Sequence, residues 1–179
     1  AIEGGRFLSF TEAYPEAWGL MRRLPPSPPQ PPLAVSFVNV EEALVDSVTR
    51  KAGQETQIIG QALDAARVST VALGFYGEQD FTWPDADVRP AFLRQQGVSA
   101  VAVTRSSYPG FILNLFFGSF ASRAGMEEVR LESGEEVLAR RLDDELHVLV
   151  KNKGSFLVGA ASSDREQAEG LLQSLLSAE

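Results

Sequence analysis

Residues 127 to 162 constrain the fold more than any other part of this chain. Four short runs, EEVRLE, EEVLARRL, ELHVLVK and SFLVGAA, are separated by the turn signals Ser133-Gly134, Asp143-Asp144 and Asn152-Lys153-Gly154. Strand-like runs bounded by such turn residues read as hairpins, and four in succession predict an antiparallel meander. In the closing segment SSDREQAEGLLQSLLSAE, Ser163 and Glu166 make a capping-box pattern, and Ala168, Leu171, Leu172, Leu175 and Leu176 fall on one stripe. That helix must lie on a sheet.

Upstream, LAVSFVN (33 to 39), VSTVALGFY (68 to 76) and VSAVAVT (98 to 104) read as strands. Asn39 with Glu42 opens a helix that Gly53 stops or bends, and QETQIIGQALDAAR carries a second helical face. The segment between Gly77 and Gly97 breaks the regularity, with a short helix expected from about Asp87 to Gln96. Together these elements predict an α+β domain, mainly antiparallel, with its helices packed on one face and the C-terminal helix docked on the sheet.

Six prolines in the nine residues LPPSPPQPP (24 to 32) exclude helix and central strand and read as a stiff linker. Three regions follow: an N-terminal docking arm over 1–23, the proline-rich linker over 24–32 and a single α+β domain over 33–179. The arm carries Phe7, Phe10, Tyr14, Trp18 and Met21 in too little chain to make a core, so it must dock on its own body or on another protein. Those five residues are the candidate partner-binding set.

The most apolar run is YPGFILNLFFGSF, 108 to 120. As a strand it places Phe111, Leu113, Leu115 and Phe117 on one side and Ile112, Asn114 and Phe116 on the other. As a helix it buries nearly its whole circumference. Tyr108, Pro109, Gly110, Asn114, Gly118 and Ser119 interrupt it well short of the roughly 18 to 20 apolar residues of a membrane span, which leaves a core, a subunit interface or a ligand cavity.

Composition narrows the function. With 16 Lys and Arg against 24 Asp and Glu, the net charge of -8 opposes nucleic acid and anionic lipid as partners. The absence of cysteine excludes disulfides, iron-sulfur clusters, thiolate zinc sites and cysteine nucleophiles. The 44% hydrophobic content is that of an ordinary soluble domain, and the start at Ala1 without Met leans toward a processed precursor or an extracytoplasmic protein.

Motifs for chemistry are sparse. His147 is the one histidine and, with no second histidine or any cysteine, completes no transition-metal cluster or thiol dyad; a surface or hydrogen-bonded strand position is expected. Neither G-x-S-x-G nor a phosphate-binding glycine loop occurs. Most carboxylate pairs sit at helix starts or hairpin turns, where capping and solvation explain them; Asp80, Asp85 and Asp87 beside Trp83 are the exception. Arg105, Arg123, Arg130, Arg140 and Arg141 make an anion site only if the fold gathers them. Arg140 and Arg141, adjacent on a strand, must face opposite ways. No catalytic residue, metal or cofactor is assigned.

The stretch GQALDAARVSTVALGFYG, 60 to 77, is distantly similar to the segment leading into the Ala-Val-Gly-Leu-Tyr strand of chalcone-isomerase-like and related fatty-acid-binding proteins, here Ala72, Leu73, Gly74, Phe75 and Tyr76. The resemblance implies an apolar ligand pocket and carries over no functional residue; the segment before the strand looks helical here where that family has strand. Two functions follow. One is a non-enzymatic binding or assembly module, an accessory subunit acting on a protein partner or a second copy. The alternative is a carrier of a small apolar ligand or a cofactor-independent enzyme, its pocket lined by residues near 72–83 and 105–120, with Tyr76, Trp83, Arg105, Tyr108 and Asn114 as ligand-binding residues.

Overall fold

A computed structural model describes residues 19–20, 22–24, 34–39, 66–77, 98–142 and 145–177. The helices expected between 40 and 65 and between 87 and 96 lie outside these residues, as do 25–32 of the proline run. The described strands are β1 (Ala34–Asn39), β2 (Val68–Tyr76), β3 (Ser99–Ser106), β4 (Glu127–Arg130), β5 (Glu136–Leu142), β6 (Leu146–Lys153) and β7 (Phe156–Ser162). Helix α1 (Gly110–Arg123) lies between β3 and β4, and α2 (Arg165–Ser177) follows β7. The fold is α+β and antiparallel.

All the strands join one sheet in the order β1-β2-β3-β7-β6-β5-β4. Every neighbouring pair is antiparallel. Because β3 is separated from β4 by four antiparallel steps, the two run parallel, and parallel strands need a long crossover rather than a hairpin. Helix α1 is that crossover. This settles the 108–120 run as helix beginning at Gly110, the position where Pro109 permits either structure to start.

Both faces of the sheet are covered, and by different helices. Ala168, Leu171, Leu172 and Leu175 of α2 are buried against Ala72, Val101, Val103, Leu149, Val158 and Ala160. Leu113 of α1 packs with Val68, Val71, Leu73, Ala102 and Leu157, which alternate with the first set along the same strands and so face the other way. The expectation that the helices share one face is therefore corrected. The reason is visible in VALGFY of β2, where Val71, Ala72, Phe75 and Tyr76 are all buried, so both sides need cover. Leu20 and Leu24 are buried in the α2-side cluster.

Local chemistry sets the helix ends. At α2, Asp164 rather than Ser163 is the cap: its Oδ1 accepts from Glu166 N at 2.9 Å and Gln167 N at 3.4 Å. Ser162 at the end of β7 receives Asp164 N at 3.1 Å and donates to Gln167 Oε1, while buried Ser99 donates to Ser162 Oγ at 2.9 Å. The capping residues thus sit one place later than Ser163 and Glu166, since Ser162 is still in the strand. At the far end of α1, Met126 N reaches Ala121 O and Gly125 N reaches Ser122 O, with Gly125 at φ +60, the left-handed close of a Schellman motif.

The start of α1 is pinned against the β6–β7 loop. A Cβ on Gly110 would stand 2.7 Å from Gly154 O, with the Gly154 carbonyl and α carbons at 2.8 and 2.9 Å. Gly118, in the same helix, has open space in that direction. Gly110→Ala is expected to destabilise the protein by about 1–3 kcal/mol through backbone displacement, whereas Gly118→Ala should stabilise it by up to ~1 kcal/mol through helix propensity. Urea denaturation of the two variants checks both signs.

Candidate functional site

Helix α1 is apolar around most of its circumference, GFILNLFFGSFASR, yet it has a single sheet to lie on. Leu113 is buried toward the sheet, Phe117 is partly buried, and Ala121 and Ala124 are buried near its C-terminal end. Phe111 and Leu115, one turn apart, are 69% and 77% exposed. The expectation that a helix here buries nearly its whole circumference is therefore corrected among the described residues. A sheet contacts one side of a helix, and the opposite side needs another surface.

Between α1 and strands β4 to β6 lies a groove of about 500 Å³. Phe117, Gly118 and Ala121 form its helix wall, and Leu138 and Val150, a cross-strand pair, face it from the sheet. The small residues Gly118, Ala121 and Ser122 leave the space that larger side chains would fill. Asn152 Nδ2 donates to Asn114 Oδ1 at 2.7 Å, tying the helix to β6. Glu128 and Glu136 line the β4–β5 side; Glu136 accepts from Arg130 Nη2 at 3.0 Å, while Glu128 has no ion-pair partner among the described residues. Arg140, half-buried, donates to Ala124 O at 2.9 Å, a cation at the C-terminal end of the α1 dipole. Strand β4 is the outermost strand of the sheet, so its outer backbone groups are unpaired within it.

The sequence-derived ligand set divides between the two faces. Tyr76 lies in the α2-side cluster, its ring folded back over Gly74, whose Cβ would approach it at 3.1 Å. Arg105, on the same face, is exposed beside Phe156. Tyr108 packs with Leu113 on the α1 side under the Arg67 guanidinium, 5.3 Å from its centroid, and Asn114 alone reaches the groove. Trp83 lies outside the described residues, as do Phe7, Phe10, Tyr14, Trp18 and Met21.

His147 is half-buried on the α2 side, opposite Ser162 and Arg141 in register. Of the five arginines considered as an anion site, Arg130 is paired with Glu136, Arg140 binds the α1 carbonyl, and Arg141 is exposed on the other face. Arg105 stands far from these along the sheet, on β3, four places from β4 and three from β5 in the strand order. Among the described residues no group of His, Asp and Glu is placed to hold a metal ion, and no described helix is long and apolar enough to cross a membrane.

Residues that the sequence reading missed are Leu138 and Val150, which face the groove, and the exposure of Phe111 and Leu115. The signal for the latter was present: apolar residues at nearly every angular position of a 14-residue helix exceed what one contact face buries. No protein-family model matches the chain, and no curated protein or solved structure matches it.

Burial pushes the Tyr76 phenol up to about 12 from 10.0. The folded state therefore holds this proton more tightly than the unfolded chain. Its contribution is fully present below pH 10.0 and is lost between there and about 12, at about 1.4 kcal/mol per pH unit. Denaturation across that window should show wild type losing stability faster than Tyr76→Phe, the difference isolating this group from other alkaline titrations.

Proposed function

We propose that this chain is a non-enzymatic binding or assembly module, an accessory subunit that uses α1 and the adjoining groove to hold a protein partner. The single observation behind this reading is the exposure of Phe111 and Leu115 on an otherwise anchored helix. Two large apolar side chains one turn apart form the pattern that an amphipathic helix or extended segment covers. The groove's Glu128, exposed on β4, favours a partner whose apolar stretch is flanked by basic residues. In this proposal the β4–β7 meander and α2 are the scaffold, and the arm over 1–23, with Phe7, Phe10, Tyr14, Trp18 and Met21, adds a second contact.

A second reading has one observation in its favour. A groove of about 500 Å³ falls within the volume range of small-molecule sites, and an apolar ligand seated between Phe117, Leu138 and Val150 would make the protein a carrier. Native mass spectrometry of gently isolated protein separates the two: a small bound mass lost on denaturation supports the carrier, and a bound polypeptide supports the module.

The double variant Phe111→Asp, Leu115→Asp is expected to keep the wild-type circular dichroism and urea midpoint, since both side chains are exposed, and to weaken partner co-purification by tenfold or more. Undiminished co-purification would refute the docking role of α1.

A further inference from the structure

We propose that Arg23 and Arg105 form an oxyanion-binding site over Phe156, taking one carboxylate or phosphate group between their guanidinium groups. The ring of Phe156 carries both cations: Arg23 Cζ lies 3.8 Å from its centroid and Arg105 Cζ 5.8 Å. The two charges are thus within a ~10 Å Debye length at 0.1 M salt and repel one another. Neither guanidinium makes a hydrogen bond or ion pair with any described residue.

The setting concentrates positive charge further. Arg105 on β3, Phe156 on β7 and Lys153 on β6 are register partners on the α2 side, so they stand in a row across three strands. Lys153 Nζ donates to Leu176 O at 2.5 Å at the end of α2, which holds its charge beside the row. Among the described residues Arg130 pairs with Glu136, Lys151 with Glu135, and Arg165 with Glu169. Acidic residues outnumber basic ones 24 to 16, yet neither Arg23 nor Arg105 has a carboxylate partner among the described residues.

The site is also built rather than incidental. Arg23 follows a turn closed by Arg23 N to Leu20 O at 3.0 Å, and Leu20 and Leu24, on either side, are buried in the core. That burial fixes the backbone from which Arg23 reaches Phe156. Phe156 in turn packs on the same core cluster. A ring stacked under a guanidinium leaves its edge N–H groups pointing outward, and two such forks suit the lone pairs of one planar or tetrahedral oxyanion. An arriving anion converts the Arg–Arg repulsion into two charge-assisted contacts. The site lies on the α2 face and is independent of the groove beside α1.

The test is an NMR titration of the full chain, following arginine Nε–H signals, with inorganic phosphate and separately with acetate at ionic strength held constant by sodium chloride. Arg23 and Arg105 signals are expected to move together and saturate, while Arg141, exposed elsewhere, does not. Arg105→Ala and Arg23→Ala should each weaken the apparent affinity about tenfold or more, and Arg141→Ala should leave it unchanged. Arg105 is exposed, so its variant is expected to fold, and its urea midpoint verifies this. Saturation by both anions supports a general oxyanion site; saturation by phosphate alone or acetate alone supports the site and assigns its ligand class. Linear, non-saturating shifts equal to those of Arg141, or affinities unchanged in Arg105→Ala, overturn the proposal.

Discussion

The pairing of β3 with β7 is the constraint on which the rest of the structure depends. It runs from Ala100 against Ala161 to Arg105 against Phe156, joining the β1–β3 half of the sheet to the β4–β7 half across a long stretch of chain. Val101 and Val103 with Val158 and Ala160 make its α2 side, and Ala102 and Leu157 its α1 side. Register is held by this two-sided burial: a slip of one residue would exchange the faces and turn the exposed Arg105 toward the side that Leu157 occupies. Loop closure over such a separation carries an entropic cost, and apolar contact on both faces is what offsets it.

From that seam the functional surfaces follow. Since β7 sits beside β3, β4 is forced to the far edge of the sheet, and the chain must cross the whole of β7, β6 and β5 to reach it. Helix α1 makes the crossing with one side on the sheet, which leaves Phe111 and Leu115 outward and a groove where Gly118, Ala121 and Ser122 are too small to fill the gap. The same seam sets Arg105 next to Phe156 on the other face, where residues 20 to 24 bring Arg23. The two surfaces are separated by the sheet and differ in chemistry: one is apolar with carboxylates beside it, the other cationic.

Strand positions were legible because their signals are local. Alternation and Gly, Asn, Asp and Ser turns act within a few residues, so VSTVALGFY is strand over Val68–Tyr76 and the turns near Ser133-Gly134 and Asn152-Gly154 lie where the hairpins turn. The stripe of α2 was legible for the same reason, with Ala168, Leu171, Leu172 and Leu175 all buried. The cap of that helix was misplaced by one residue because the hydrogen bonds of Ser162 to β3 and to α2 decide where the strand ends. The candidate site was hardly legible at all. Asn114 reaches the groove, but Tyr76 and Arg105 lie on one face of the sheet and Tyr108 on the other.

The sequence by itself determined an antiparallel α+β chain with a C-terminal helix on its sheet, the absence of any thiol or glycine-loop chemistry, and an acidic surface. Those properties follow from residue type and short-range periodicity, which act before any distant contact forms. Only the tertiary structure decided that GFILNLFFGSF is helix, that the two helices take opposite faces, and that Arg23 meets Arg105 over one ring. A run apolar at most positions satisfies both a period of 2 and one of 3.6, so its form was chosen by the need to join two parallel strands. The arginines meet because residues 23, 105 and 156 share a neighbourhood in the sheet that no local rule encodes.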